Sequence, residues 1–137
     1  MARRKLSHDG TLVLDCEGLS RLLGDDESVV ALVAEARRRG MEAVVCALTV
    51  IEAAHARIDK ARLGWVLSGL RVLPVGEEEA KAASALLMGA GPHGHKYAID
   101  AAVAATALKQ RHPVVMLTSD VDDMTKLCGD RVRLVAV

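Results

Sequence analysis

Short, solid apolar runs recur along this chain, and each is followed by a longer amphipathic stretch. This alternation constrains the fold more than any other feature. Thr11–Asp15 reads as a buried strand behind His8-Asp9-Gly10, and Ala43–Cys46, Arg71–Val75, Val114–Thr118 and Val132–Val135 read as four more. The intervening periodicity predicts helices over 19–23, from Asp25 or Asp26 to Arg39, over 50–58 behind a Thr49 cap, and over 60–70, 77–89, 96–110 and 121–127. Strands that lack polar alternation are buried on both faces, as in parallel sheets covered by helices. The expected architecture is therefore α/β, a three-layer sandwich around a mostly parallel five-stranded sheet. One domain over residues 1–137 is expected, with residues 1–10 as a flexible N-terminal lead.

Composition excludes several roles. Hydrophobic residues make up 51% and charged residues 26%, an ordinary globular mix. Trp65 and Tyr97 are the only aromatic residues, so stacking platforms are not the main binding device. Formal net charge is zero, so the whole-molecule field advertises no nucleic-acid partner. Arg37-Arg38-Arg39 is the most compact basic run outside the N-terminus, and it reads as a solvated helix end. Cys16, Cys46 and Cys128 form no zinc pattern and read as reduced thiols. The basic start lacks the apolar stretch of a signal peptide, and no run is long enough to span a membrane. A soluble cytoplasmic protein is expected.

Four acids stand out against this frame. Asp15 follows an apolar strand, Glu52 lies in Leu48-Thr49-Val50-Ile51-Glu52-Ala53, Asp100 interrupts Ala98-Ile99-Asp100-Ala101-Ala102-Val103, and Asp120 closes the run 114–119. An unpaired buried charge is costly. Asp15 and Asp120 read equally well as helix caps, and Glu52 and Asp100 as rim partners of Arg57 or Lys96. Capping does not explain Asp100, whose helix offers few polar neighbours. Strand C-termini and the helix starts after them share one edge of a parallel sheet, so all four acids can converge there.

Several carboxylates without Cys or His ligands select a hard ion, Mg2+ or Mn2+. Such an ion polarises a phosphoryl oxygen and activates water. In-line hydrolysis of a phosphodiester is the natural reaction class.

The segments "LVLDCEGLSRLL", "TVIEAAHAR", "YAIDAAVAATAL" and "LTSDVDDMTKL" resemble, in order, the four acidic motifs of PIN-domain ribonucleases, and most closely those of VapC-type toxins of toxin–antitoxin pairs. The resemblance runs from about Thr11 to Val137. It implies a PIN-like sandwich, a Mg2+- or Mn2+-dependent endoribonuclease acting on RNA, and a homodimer inhibited by a small antitoxin protein. Carried over, it makes Asp15, Asp100 and Asp120 metal ligands and Glu52 a ligand or water-orienting base, the four forming the catalytic set. Thr118 or Ser119 matches the small polar position beside the last acid. Asp122 matches a further acid of the motif, whereas Asp123 stands where relatives carry an aromatic residue. Which of the two faces the cleft stays open from the sequence.

Two other functions fit parts of the pattern. Asp15-Cys16-Glu17 loosely resembles the start of haloacid-dehalogenase-like phosphatases, with Asp15 as nucleophile, but Glu17 replaces their second aspartate. A non-catalytic PIN-like scaffold binding RNA or protein is the third reading, opposed by the complete acidic set. Among other residues, His93-Gly94-His95 reads as a loop rather than a zinc fragment, with His95 or Lys96 able to touch phosphate. His55 reads as a surface residue and Cys16 as a small buried thiol. Arg57, Lys60 and Arg62 read equally as an RNA-phosphate track and as the polar faces of their helices.

Overall fold

The computed structural model describes residues 9–55, 57–91 and 94–137, with only the backbone at Gly94 and His95. The first eight residues of the expected lead, His93 and the His95 side chain lie outside the described residues. In chain order the elements are β1 (Thr11–Leu14), α1 (Cys16–Leu23), α2 (Glu27–Arg38), β2 (Glu42–Cys46), α3 (Ala47–Ala53), α4 (Lys60–Ser68), β3 (Arg71–Leu73), α5 (Glu77–Ala90), α6 (Gly94–Leu108), β4 (Val114–Thr118), α7 (Val121–Cys128) and β5 (Arg133–Ala136).

The five strands form one sheet in the order β3-β2-β1-β4-β5, and every pairing is parallel. Side chains alternate across a strand, so successive residues feed opposite layers. Val13, Val44, Cys46 and Met116 pack with Ala83, Ala101, Ala104 and Met124 of α5, α6 and α7. Leu12, Leu14, Val45 and Leu117 pack on the other face with Leu19, Val29, Val33 and Val66 of α1, α2 and α4. Helices thus cover both faces of a wholly parallel sheet, which explains the solid apolar runs.

From β1 the chain steps outward to β2 and β3, then crosses back to place β4 and β5 on the other side of β1. Such a reversal opens a crevice beyond the strand C-termini. The end of the β1–β4 ladder sits there, with the Asp15 N–H donating to the Leu117 carbonyl at 3.0 Å. Close seating of α1 on β4 requires Gly18. A Cβ there would lie 3.1 Å from the Leu117 carbonyl oxygen.

Several element boundaries differ from the sequence expectation. Thr49 does not cap a helix. β2 runs directly into α3 at Ala47, with Cys46 at the cap position, and Thr49 is buried inside the helix without a hydrogen-bond partner for its hydroxyl. The expected helix over 50–58 ends at Ala53, because Asp59 starts a new helix by accepting from the Ala61 and Arg62 N–H groups. α1 begins at Cys16 rather than near Leu19, α4 stops at Ser68, and β3 stops at Leu73 before Pro74. β5 is shifted by one residue. Asp26, not Asp25, caps α2, accepting from the Val29 N–H at 3.1 Å. Gly10 is buried, and its carbonyl accepts from the Glu42 N–H at 3.0 Å.

Candidate active site

Asp15 directly follows β1 and occupies the N-cap of α1. It is 3% exposed, yet both carboxylate oxygens are held. Oδ1 accepts from the Cys16 N–H and Oδ2 from the Thr118 hydroxyl, each at 2.8 Å. Burial nevertheless raises its pKa above the usual carboxylate value, against the lowering by those two bonds, and the Asp120 charge adds to the rise.

Asp120 follows β4 and stands at the N-cap of α7, but its side chain makes no capping bond. Its carboxylate is therefore not consumed by the helix start. Its N–H donates to the Thr118 hydroxyl at 2.9 Å. Thr118 is wholly buried and joins the ends of the two central strands.

Asp100 belongs to α6. The backbone leaves helical geometry at Tyr97 (φ −112°, ψ 16°), so Asp100 falls in the first turn of the regular helix beyond that kink. It is the most perturbed acid of the group. Burial, then the charges of Asp15, Asp120, Glu52 and Asp123, push its pKa up to about 7. No basic side chain among the described residues pairs with it, and Lys96 lies over the Tyr97 ring instead. One carboxylate oxygen from each of Asp15, Asp100 and Asp120 lies within 4.8 Å of the other two.

Glu52 lies on α3 outside that trio and is exposed, as Asp120 is, whereas Asp15 is buried and Asp100 half-buried. Burial and the charges of Asp15 and Asp120 raise its pKa, so it still feels the cluster. Asp123 is half-buried and its charge reaches Asp100, while Asp122 is exposed. Ser119, Asp120, Val121, Asp122 and Asp123 line a cavity of about 320 Å3 at this edge.

No family model matches the sequence, and no curated protein does. Solved structures do match. A chain of a toxin–antitoxin complex from Klebsiella pneumoniae superposes with a TM-score of 0.69 at 17% identity, covering 89% of this chain and 95% of its own. A chain of VapBC2 from Rickettsia felis, bound to a promoter DNA fragment, gives 0.69 at 12% identity, with 93% and 98% covered. A chain of FitAB bound to the IR36 DNA fragment gives 0.68 at 23% identity, with 92% and 94% covered. The fold is PIN-like. At these identities the likeness is one of fold, so the chemistry rests on this chain's own side chains.

Within the PIN-like fold the acidic trio suits a hard divalent ion. Oxygen ligands on one Mg2+ stand about 3–4 Å apart in octahedral geometry, so small carboxylate rotations would close the set. The donors are all oxygens, with no nitrogen and a single neighbouring thiol. That thiol, Cys16, is pushed up to about 11 by burial and by the charges of Glu52 and Asp15, so it is neither a ready nucleophile nor a ready ligand.

A larger cavity of about 400 Å3, between α2 and α4, contains none of these acids. Trp65 and Arg37 are among its walls. Size alone would favour that cavity, but the acidic crevice gathers carboxylates whose pKa values are raised by burial and by one another, at Asp15, Glu52 and Asp100, and such groups mark a candidate for reaction chemistry.

The remaining candidates are placed as follows. Arg62 is committed to the Leu22 and Leu23 carbonyls and to Asp25, which favours its structural reading over the RNA track. Arg38 and Arg39 pair with Glu35, and Arg37 donates to the Gly69 carbonyl, as a helix end would. His55 is exposed. Among the described residues, no helix is long and apolar enough to cross a membrane.

Proposed function

We propose that this chain, as a single PIN-like domain, is a divalent-metal-dependent endoribonuclease acting in the cytoplasm as the toxin of a toxin–antitoxin pair. The observation that carries this reading is the convergence of the Asp15, Asp100 and Asp120 oxygens at the crevice beside β1 and β4. The three aspartates would hold Mg2+ or Mn2+. When bound, the ion offsets the charge of acids and phosphodiester alike and supplies Lewis-acid polarisation.

The chain's own residues then divide the work. Thr118 fixes the orientation of Asp15. Glu52, exposed and with a raised pKa, would take a proton from attacking water. The substrate is single-stranded RNA, whose backbone can bend into an open crevice. Fold neighbours described as toxin–antitoxin complexes support a small antitoxin protein as partner, and the chain would work as a homodimer.

The phosphatase reading is disfavoured by two observations. Glu17 turns onto its own helix, accepting from Arg21 at 2.9 Å. Asp15, the required nucleophile, has both oxygens engaged. Calorimetric titration with Mn2+ and cleavage assays on single-stranded RNA test the proposal together. Saturable ion binding that disappears in Asp100→Asn, with metal-dependent cleavage, is expected. Ion binding without any cleavage would instead leave the scaffold reading.

A further inference from the structure

The acidic crevice poses a difficulty for its own substrate. A phosphodiester must approach four or five carboxylates on a chain of zero net charge. A cation beside the acids that is not already paired is therefore informative. Elsewhere in the fold, Arg21, Arg62, Arg71, Lys81 and Lys109 are held in ion pairs with acids. Lys96 is exposed and pairs with no carboxylate among the described residues. Its ammonium nitrogen lies 5.3 Å from the centre of the Tyr97 ring.

These two residues stand just before Asp100. Tyr97 precedes it by three residues, about one helical turn. Positions 96 and 97 come four and three residues before Asp100, the spacing of neighbours across one helical turn, so both stand beside the Asp100 position at the crevice. Tyr97 is also where the helix kinks, so its ring marks the junction between the first residues of α6 and the regular helix.

Resting on the nuclease reading, we propose that Tyr97 and Lys96 form a nucleotide subsite at the crevice. The ring stacks on one unstacked base of single-stranded RNA, and the ammonium meets the adjoining phosphate. A base offers its face to a side chain only when it leaves the duplex, so the subsite selects single strands. One tyrosine receives one base, which accords with a chain so poor in aromatics. The lysine covers part of the ring in the free protein, and its flexible stem moves aside for the base.

Binding of a labelled, short single-stranded oligouridylate tests this, read by fluorescence anisotropy in an Asp100→Asn background that does not turn over. Tyr97→Leu is expected to weaken binding about tenfold, and Tyr97→Phe to preserve it. Lys96→Gln is expected to lower the slope of log K against log salt by about 0.7, the signature of one lost phosphate contact. Binding by Tyr97→Leu within about twofold of its parent would overturn the subsite. Should that variant fail to fold, an unchanged salt slope in Lys96→Gln would overturn it alone. The two proposals fail separately. Wild-type protein that cuts no RNA, with Tyr97→Leu still losing affinity, removes the nuclease and keeps the subsite. Wild-type cleavage with unaltered binding in both variants does the reverse.

Discussion

The Thr118 hydroxyl donates to Asp15 Oδ2 at 2.8 Å across 103 residues of sequence. The Thr118 hydroxyl oxygen in turn accepts from the Asp120 N–H at 2.9 Å. One hydroxyl therefore sets the distance between two proposed metal ligands. Thr118→Val keeps the shape and removes the bond. It leaves a buried carboxylate oxygen and a backbone N–H without partners, at a cost of about 2 kcal/mol in stability. It also withdraws a bond that lowers the Asp15 pKa. Divalent-ion affinity and RNA cleavage should fall by about 10- to 100-fold. Thr118→Ser should recover most of both. Calorimetry on the three proteins decides, and unchanged ion affinity in the valine variant would refute the coupling.

Asp100→Asn should separate function from folding. The substitution deletes a charge that burial and four acidic neighbours oppose, so the metal-free protein should become more stable at pH 8. Ion binding and cleavage should fall by more than about 100-fold, because a ligand is lost rather than its support. A thermal melt with and without Mn2+ reads both effects. Wild-type protein should gain from the ion and the variant should not. An Asp100→Asn protein that still cleaves would remove Asp100 from the site.

The stability of the metal-free protein should fall as pH rises from 5 to 8. Asp100 titrates at about 7 in the folded chain, well above the ordinary carboxylate near 3.9. Between those values the folded state holds a proton that the unfolded state has released, so raising pH removes stability. Glu52 and Asp15 shift in the same direction. Glu79, lowered to about 2 by Lys109 and the Gly76 N–H, acts with the opposite sign, but only at pH below its ordinary value. Saturating Mn2+ should flatten the slope, since the ion replaces the proton. A melting temperature that rises from pH 5 to 8 without metal would contradict the assignment.

Much of this arrangement is legible in sequence, for physical reasons. β1 and β4 lack polar alternation because both faces are covered, so Asp15 and Asp120 stand out at their ends. Asp100 is visible because a carboxylate amid alanine and valine has no local partner. What sequence hides is how a strand hands over to a helix. Thr49 looks like a helix start, but β2 passes directly into α3, which puts Cys46 at the cap position and Thr49 inside the helix. Equally hidden is the bond from Thr118 to Asp15, since no local pattern encodes a contact between distant strand ends. The phase of α7 is a third case, because it depends on where Asp120 places the first turn.

That phase separates two adjacent acids. Asp122 and Asp123 both sit in the first turn of α7, but Asp122 is exposed, whereas Asp123 is half-buried and its charge contributes to raising Asp100. Asp123→Asn should therefore lower the pH at which Asp100 takes up its proton, shifting the midpoint of the stability profile to lower pH. Asp122→Asn should leave that midpoint in place, since an exposed charge is screened by solvent and salt. Titration of the Asp100 carboxyl by NMR in the two variants gives the midpoints directly. Ion affinity supplies a second readout. A ligand freed of its competing proton binds metal at lower pH, so Asp123→Asn should retain Mn2+ binding further into acid unless Asp123 itself helps to hold the ion, in which case affinity falls at every pH. Equal midpoints in the two variants would show that the helix presents neither acid to Asp100.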